Sequence, residues 1–570
     1  MPRGIWQTKG KLPRIGADQP MRQSSKLKKT KAVKKVKQNI TDENIDHPAQ
    51  NSCADITRRR YSADQGKGEE QMLYQSTRNS AAKVEAAAAI TQGISRDAGL
   101  FVPESFPRIS MDEIAAMAGE GYTDRAKRIL SRYLTDFTEQ EIASCVEGAY
   151  GGGKFADPKK APLRKLDDSA FVLELWHGPT CAFKDMALQL LPYLLTVSAG
   201  KTVKDKKIVI LVATSGDTGK AALEGFKDVG GTQILVFYPR DGVSVMQKLQ
   251  MTTQEGENVS VCAIEGNFDD AQSGVKAIFT DREIEEKLKA HGMLFSSANS
   301  INWGRLVPQI VYYFSAYCDL LAKGELQPGD SMNVVVPTGN FGNILAAYYA
   351  KEMGLPIAKL VCASNENNIL TDFIRTGTYD KNRRFVTTIS PSMDILISSN
   401  LERLLYHLSG NDDRMVVSLM DALQKENQYT INDEMKGKLQ KDFFAACCDD
   451  HITKQTIKQV FEQYGYLIDT HTAVAVNAYW QYIEQTGDKT KTVIASTASP
   501  YKFPVSVLSA LNGGEVKTDE FEAVKTLSAK TGTQIPAPLA SLGEKQVRFE
   551  SACERQNMKQ VVFDMLGIEA

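Results

Sequence analysis

Cysteine and histidine are scarce in this chain of 570 residues, which holds nine cysteines and six histidines. The cysteines form no Cys-x-x-Cys pair, and their odd number and scattered positions do not fit a disulfide framework. The histidines form no His-Glu-x-x-His motif. The sequence therefore predicts reduced thiols and no metal site.

Long apolar runs are also absent. No stretch approaches the roughly 18–20 apolar residues of a membrane-spanning helix, and the N-terminus lacks the apolar segment of a secretory signal. Hydrophobic residues make up 42% of the chain and charged residues 24%, which is typical of a soluble globular protein. We therefore expect a soluble, cytoplasmic protein with no membrane partner.

Positive charge is not in excess over most of the chain. The net charge is −1, but residues 1–71 hold 16 Lys and Arg against 8 Asp and Glu, which leaves 52 against 61 for residues 72–570. Proteins that bind nucleic acid cluster Lys and Arg because they must contact phosphates. The mildly acidic body therefore disfavours nucleic acid as a partner.

Residues 1–71 are predicted to form a disordered basic extension. Few of these residues are apolar, so burial cannot offset an ordering entropy of about 1–2 kcal/mol per residue. Three interpretations stay open for this segment. It is a nucleic-acid-binding tail, an organelle-targeting segment, or a stretch that precedes a true translation start at Met72.

Residues 72–160 are predicted to form a small α-rich N-terminal domain. The alanine-rich run at 81–92 favours a helix that ends at Gly93. The sequence GLFVP at 99–103 predicts a short strand or turn, and helical patterns fill residues 111–151.

Residues 161–570 are predicted to form an α/β catalytic region. Short and nearly continuous apolar runs alternate here with helix-length segments, which is typical of an open, mostly parallel sheet with helices on both faces. The predicted strands are KIVILVA (207–213), TQILVFY (232–238), VSVCAI (259–264), MNVVVP (332–337), KLVCAS (359–364) and TVIAST (492–497).

Two of these strands end in glycine-rich loops that open directly into helices. TSGDTG follows the strand at 207–213, and TGNFGN follows the strand at 332–337. Glycine allows close backbone approach, and the N–H groups at a helix start favour an anion. Neither loop matches GxGxxG or GxxxxGK[ST], so the fingerprints of dinucleotide and nucleotide sites are missing. The pair of loops indicates two anionic groups in one crevice.

Lys184 lies where the apolar helix of WHGPTCAFKDMALQLLPYLL begins. Lysine usually faces solvent, so the neighbouring Phe183 and Met186 make this an unusual place for a charge. A partly desolvated lysine has a lowered pKa and can form a Schiff base. A Schiff-base lysine, a phosphate loop and a hydroxyl-rich loop are the parts of a pyridoxal phosphate site.

The motifs LYQSTRN, GLFVP, HGPTCAFKD, ATSGDTG, SANSINWGR, PTGNFGN and STASPYKFP occur in this order from residue 73 onwards. In combination they resemble the threonine synthase family, in the longer form typical of many bacteria and fungi. The resemblance covers nearly all of residues 72–570. It implies the tryptophan-synthase-β-like fold of fold type II enzymes, with pyridoxal 5′-phosphate as the cofactor.

The resemblance also implies roles for the residues that match the motifs. Lys184 would hold the cofactor covalently, and Thr497 would face its pyridine nitrogen. Asp217, at a position that is Asn in the shorter branch of the family, would contact the cofactor ring. The cofactor phosphate would be bound by Gly339, Asn340, Phe341 and Asn343. The substrate carboxylate would be bound by Thr214, Ser215 and Thr218, and the substrate phosphate by Asn299, Ser300 and Arg305.

The activity implied is the conversion of O-phospho-L-homoserine and water into L-threonine and phosphate, by a monomer or homodimer. A threonine-synthase-like phospholyase or an amino-acid dehydratase on the same scaffold is the alternative. A dehydratase needs no site for a substrate phosphate, so SANSINWGR argues against it. A regulatory protein that uses its basic tail on nucleic acid is the alternative outside enzymes.

Overall fold

The computed structural model describes residues 71–240 and 243–569. The predicted basic extension lies outside these residues, apart from Gln71. The described residues belong to one compact unit. None of the helices in this part of the chain is long and apolar enough to cross a membrane.

Sixteen strands lie within the described residues. Those before the first glycine-rich loop are β1 Tyr74–Ser76, β2 Asn79–Val84, β3 Phe101–Pro103, β4 Leu163–Lys165, β5 Ala170–Glu174 and β6 Lys207–Ala213. The next are β7 Thr232–Pro239, β8 Val259–Glu265, β9 Met293–Ser296, β10 Met332–Pro337 and β11 Ile357–Ser364. The last are β12 Thr378–Asp380, β13 Gln428–Thr430, β14 Phe443–Cys447, β15 Thr492–Ser496 and β16 Ala552–Glu554.

The α-helices of the same residues fill most of the connections. In the first half they are α1 Ala86–Gln92, α2 Met111–Ala116, α3 Tyr122–Ser131, α4 Glu139–Tyr150, α5 Asp185–Leu188, α6 Leu191–Thr202, α7 Asp217–Phe226, α8 Val245–Thr252, α9 Phe268–Thr280 and α10 Arg282–Ala290. In the second half they are α11 Trp303–Ala322, α12 Gly342–Glu352, α13 Ile369–Thr376, α14 Leu401–Leu408, α15 Asp413–Glu426, α16 Asp433–Asp442, α17 Asp450–Tyr464, α18 Thr470–Thr486, α19 Pro504–Asn512, α20 Glu520–Thr531, α21 Ala537–Ala540 and α22 Met558–Leu566.

Two parallel sheets form the body. One has the order β14-β11-β10-β15-β5-β4, in which only β4 runs antiparallel to its neighbour. The other has the order β16-β8-β7-β6-β9 and is parallel throughout. The predicted α/β class is confirmed. The sequence did not reveal that the strands divide into two sheets, because strand pairing depends on contacts between distant segments.

Burial on both faces explains why the strands are nearly continuous in apolar residues. In β10, Val334 and Val336 pack in one hydrophobic core while Val335 packs in another. In β6, Ile210 packs in the first of these cores and Leu211 in a third. Since successive side chains of a strand point to opposite faces, both faces of each sheet are covered.

The alanine-rich run differs from its prediction. Only Ala86–Gln92 is helical, and Ala81 and Ala82 lie in β2, which pairs antiparallel with β1. Tertiary strand pairing overrides the helix preference of alanine there, as it can because the preference is small per residue. β1, β2 and β3 form a three-stranded sheet of their own. The predicted domain boundaries at 72–160 and 161–570 stay a prediction.

Candidate active site

The candidate site lies where the segments that follow β5, β6, β10 and β15 meet. A β-bridge joins Ala182 to Ala498, and the backbone N–H of Phe183 donates to the carbonyl of Thr497 over 2.8 Å. These two contacts fix the lysine segment against the end of β15. In an open parallel sheet, ligands bind at the carboxyl ends of the strands, which is the edge observed here.

Lys184 is buried at the start of α5, with 9% of its surface exposed. Its Nζ lies 5.0 Å from the ring centre of Phe183. Burial lowers the pKa of the Lys184 amine; Asp217 opposes this effect, whereas the positive charges of Lys502 and Arg305 add to it. The structure therefore provides the desolvated lysine that the sequence predicts.

Asp217 lies at the start of α7 and is shared between two lysines. Its Oδ2 lies 3.4 Å from Nζ of Lys184, and its Oδ1 lies 2.7 Å from Nζ of Lys502. Nε2 of Gln247 also donates to Oδ1 over 3.1 Å. Burial alone would raise the pKa of Asp217, but the two lysines hold it well below its usual range. The carboxylate is therefore ionised at neutral pH.

The loop between β10 and α12 presents its backbone to the site. Phe341 has a left-handed backbone with φ of +60°, while its side chain packs in the core against Phe443. The carbonyl of Gly339 accepts from Ser398, and that of Asn340 accepts from Asn400. The N-terminus of α12 has no side-chain cap, and the first N–H groups of a helix have no partner within it, so these groups can bind an anion.

A second loop lies against this one and reaches Lys184. A Cβ atom on Gly339 would lie 2.5 Å from the carbonyl oxygen of Ser392, so the two backbones touch. The hydroxyl of Ser392 lies 3.2 Å from Nζ of Lys184. Ser392 therefore links the loop at 339–343, hereafter the phosphate loop for its predicted role, to Lys184.

Two buried polar atoms of the site have no partner among the described residues. Nε of Arg305 is one, and Nδ2 of Asn343 is the other, whose Oδ1 accepts from the hydroxyls of Tyr312 and Tyr313. Burial lowers the pKa of the Arg305 guanidinium to about 10, so it is still a cation at neutral pH. Buried donors without acceptors are costly, which fits a site that binds an anionic ligand.

These features fit the phosphate and the aldehyde of pyridoxal phosphate. The loop at 339–343 would bind the phosphate, and Lys184 would bind the aldehyde carbon. The cations Lys184, Lys502 and Arg305 are all less than 10% exposed. Buried cations require anions nearby, and Asp217 supplies only one.

The remaining predicted residues are placed as follows. The hydroxyl of Thr214 is used within its own loop, where it accepts from Gly216 and Gly219. In the same loop, Ser215 is exposed and Thr218 half-buried. Thr497 is buried at the end of β15.

Asn299 and Ser300 are half-buried and precede α11. Cβ of Ser300 lies 3.9 Å from the position that a Cβ on Gly342 would occupy. Ser300, which the sequence assigns to the substrate phosphate, therefore lies beside the loop that is predicted to bind the cofactor phosphate.

Sequence reasoning missed several residues that hold this site together. They are Gln247, Ser392, Asn400, Lys502 and His471, whose Nε2 accepts from the backbone N–H of Ser392. Lys502 carried a usable signal, since it lies among Pro500, Tyr501, Phe503 and Pro504, the same kind of apolar surroundings that singled out Lys184. Ser392 carried none, because only the fold brings it to the lysine.

Family models match the chain in three consecutive parts. The model described as pyridoxal-phosphate dependent enzyme matches residues 157–430. Those described as threonine synthase N terminus and threonine synthase, C-terminal match residues 73–150 and 472–562. The fold and the site thus define a pyridoxal-phosphate-dependent enzyme of fold type II.

Similar proteins narrow this class to one family. Threonine synthase of Pseudomonas aeruginosa is 39% identical over 478 residues, which cover 84% of this chain and 95% of that protein. The crystal structure of pyridoxal-phosphate-bound threonine synthase from Brucella melitensis is 36% identical, with a TM-score of 0.77, and the match covers 87% of this chain and 99% of that one. The chain belongs to the threonine synthase family, as the sequence motifs predicted.

A second group of relatives has a different name. Human threonine synthase-like 1 is 42% identical over 439 residues, which cover 75% of this chain. The match spans only 58% of the length of that human protein. The matches establish the family and the cofactor. They do not assign a reaction or a substrate to this chain.

Proposed function

We propose that this enzyme converts O-phospho-L-homoserine and water into L-threonine and phosphate, as the last step of threonine biosynthesis. The observation that carries the proposal is the buried guanidinium of Arg305, which has an unpartnered Nε and lies close enough to lower the pKa of Lys184. A substrate phosphate in addition to the cofactor phosphate would use this second cation.

Lys184 would move the protons of the reaction. Its pKa is lowered by burial, so a larger fraction of the amine is unprotonated near neutral pH than in a free lysine. When bound, pyridoxal phosphate supplies the electron sink for the substrate carbanion. Protons leave the α- and β-carbons and phosphate leaves the γ-carbon. A proton is then returned to the γ-carbon, water adds its hydroxyl at the β-carbon, and a proton is returned to the α-carbon; the second proton of water accompanies the phosphate.

Other residues would hold the substrate and the lysine in place. Arg305 would bind the departing phosphate, with Asn299 and Ser300 beside it. Asp217 would hold the freed Lys184 ammonium near the reacting carbons, since its Oδ2 lies 3.4 Å from Nζ. Thr497 would face the ring nitrogen and, as a neutral residue, would leave the cofactor ring less electron-demanding than an aspartate would.

The experiment that tests this proposal measures threonine and phosphate together. The purified enzyme with pyridoxal phosphate is expected to release equal amounts of both from O-phospho-L-homoserine. Lys184→Ala is expected to abolish turnover while leaving the fold largely intact. It removes both the covalent anchor of the cofactor and the base, and loss of a general base alone typically costs ~10²–10⁴-fold. More than a few per cent of residual activity would contradict the assignment of Lys184.

A threonine-synthase-like phospholyase is the second candidate, because human threonine synthase-like 1, at 42% identity, is named as like a threonine synthase and not as one. Such an enzyme would eliminate phosphate without adding water at the β-carbon. The assay above separates the two, because a phospholyase yields phosphate with a 2-oxo acid and ammonia instead of threonine. A cytoplasmic location and a monomeric or homodimeric state remain predictions from the sequence.

A further inference from the structure

Lys502 is one of the most deeply buried charges in the described part of the chain. Its side chain is 0% exposed, although lysine is almost never fully buried unless it is paired. It follows β15 at the end of the short 3₁₀ turn Pro500–Lys502. Its Nζ donates to Oδ1 of Asp217 over 2.7 Å and to the carbonyl of Thr180 over 3.2 Å.

These two bonds join three separate segments of the chain. Thr180 belongs to the turn before Lys184, and its hydroxyl and N–H both bind Asp185, the residue that follows the lysine. Asp217 begins α7, after β6. We propose that Lys502 is a positioning residue that joins these segments and fixes the carboxylate of Asp217 beside Nζ of Lys184.

The arrangement divides one carboxylate between two ammonium groups. Without Lys502, Asp217 would have Lys184 as its only cation at hydrogen-bond distance and would hold it as an ammonium. A buried carboxylate stabilises the charged form of its remaining partner, because no solvent competes for it. The pH at which Lys184 loses its proton should then rise.

This inference rests on the proposed role of Lys184, but its test measures the pH at which Lys184 loses its proton rather than the rate of threonine synthesis. The full chain, freed of cofactor, is treated with an amine-acetylating reagent over a range of pH. Mass spectrometry of the peptide that contains Lys184 then gives the midpoint of its reactivity. If the midpoint shifts in the variant but the wild-type enzyme makes no threonine, the proposed reaction is wrong and this inference is still supported.

Lys502→Met is expected to move the midpoint to higher pH by about one unit or more, the size expected when a charge within ~4–6 Å is changed. Asp217→Asn is expected to move it to lower pH, because the group that raises the pKa of Lys184 is lost. The double variant is expected to lie between the two single variants. A general loss of packing would not move the midpoints of the two single variants in opposite directions. This order therefore distinguishes the loss of a positioning charge from a loss of packing.

Lys220→Met is the matched control. Lys220 is also buried, with 8% of its surface exposed, and pairs with a carboxylate, Glu224, over 2.9 Å. It does not contact Asp217, so its loss should leave the midpoint of Lys184 unchanged. A Lys502→Met midpoint equal to that of the wild type, or an equal shift in Lys220→Met, would overturn the proposal. If Lys502→Met does not fold, Lys502→Gln, which keeps a donor for Thr180, is judged by the same criterion.

Discussion

The backbone N–H of Ser392 donates a hydrogen bond to Nε2 of His471 over 3.2 Å, while Nδ1 of the same ring lies 2.9 Å from Oδ1 of Asp469. Because the N–H of Ser392 donates to Nε2, Nε2 is the acceptor, and Nδ1 carries the proton that it donates to Asp469. The imidazole is therefore neutral in this arrangement. It holds the backbone of the residue whose hydroxyl reaches Lys184.

His471→Asn is therefore expected to lower kcat/KM by about tenfold. An asparagine is too short to keep both bonds. Leaving a buried N–H unsatisfied costs ~1–3 kcal/mol, and the lower half of this range applies here because Ser392 is only half-buried. Steady-state kinetics of threonine formation measures the effect. His291→Asn is the control, because His291 is exposed and its ring bonds only to the carbonyl of Lys287. Equal kinetics for the two variants would show that His471 does not position the loop.

Gly339→Ala is expected to weaken cofactor binding by tenfold or more. The new Cβ would lie 2.5 Å from the carbonyl oxygen of Ser392, so one of the two loops must move. Titration with pyridoxal phosphate, followed by the visible absorbance of the bound cofactor, measures the affinity. The control is Gly437→Ala in α16, where no atom of the described residues lies within 4 Å of the added atom. Unchanged affinity in Gly339→Ala would contradict the tight contact.

Arg305→Ala is expected to raise KM for O-phospho-L-homoserine strongly while the bound cofactor keeps its absorbance. Loss of a charge-assisted phosphate contact costs on the order of 1.5–3 kcal/mol, or roughly tenfold to more than a hundredfold. Inhibition by inorganic phosphate should weaken in parallel. If the variant instead loses pyridoxal phosphate, Arg305 binds the cofactor phosphate, as the position of Ser300 beside Gly342 would allow.

His407 predicts a pH dependence of stability. Burial lowers its pKa to about 4, against about 6.5 when unfolded, and its Nε2 lies 2.8 Å from the hydroxyl of Tyr349. Its contribution is fully present above pH ~6.5 and is lost as the pH falls towards 4, because only the unfolded state then takes up the proton. The loss is on the order of 2–3 kcal/mol.

Urea unfolding at pH 7.5 and pH 4.5 measures this loss. His407→Gln keeps an acceptor for Tyr349 but no titrating group, so its free energy of unfolding should fall less between the two pH values than that of the wild type. His291→Gln should behave as the wild type. An equal fall in all three proteins would assign the acid sensitivity to other groups.

The parts of this site that local sequence encodes were predictable. β10 begins and ends at the predicted residues 332 and 337, because a strand buried on both faces is a continuous apolar run. The glycine-rich loop after it and the apolar surroundings of Lys184 are equally local. Each of these features can be read within one short window of sequence.

What depends on distant contacts was not predictable. Ser392 reaches Lys184 only because its loop packs against Gly339, and no pattern around residue 392 encodes that contact. The strand conformation of Ala81 and Ala82 likewise comes from pairing with β1. The division into two sheets has the same origin, since β6 and β10 look alike in sequence.

The position of β15 has a consequence for the synthesis of the chain. Ile494 pairs with Val172 of β5 on one side and with Val335 of β10 on the other, so one of the last strands to be translated is at the centre of its sheet. Until it emerges from the ribosome, β5 and β10 each have an unpaired edge that can associate with other strands. A nascent chain that extends past residue 343 but ends before residue 492 already contains the Lys184 segment and the phosphate loop. It lacks the strand that joins them, so it cannot assemble the cofactor site.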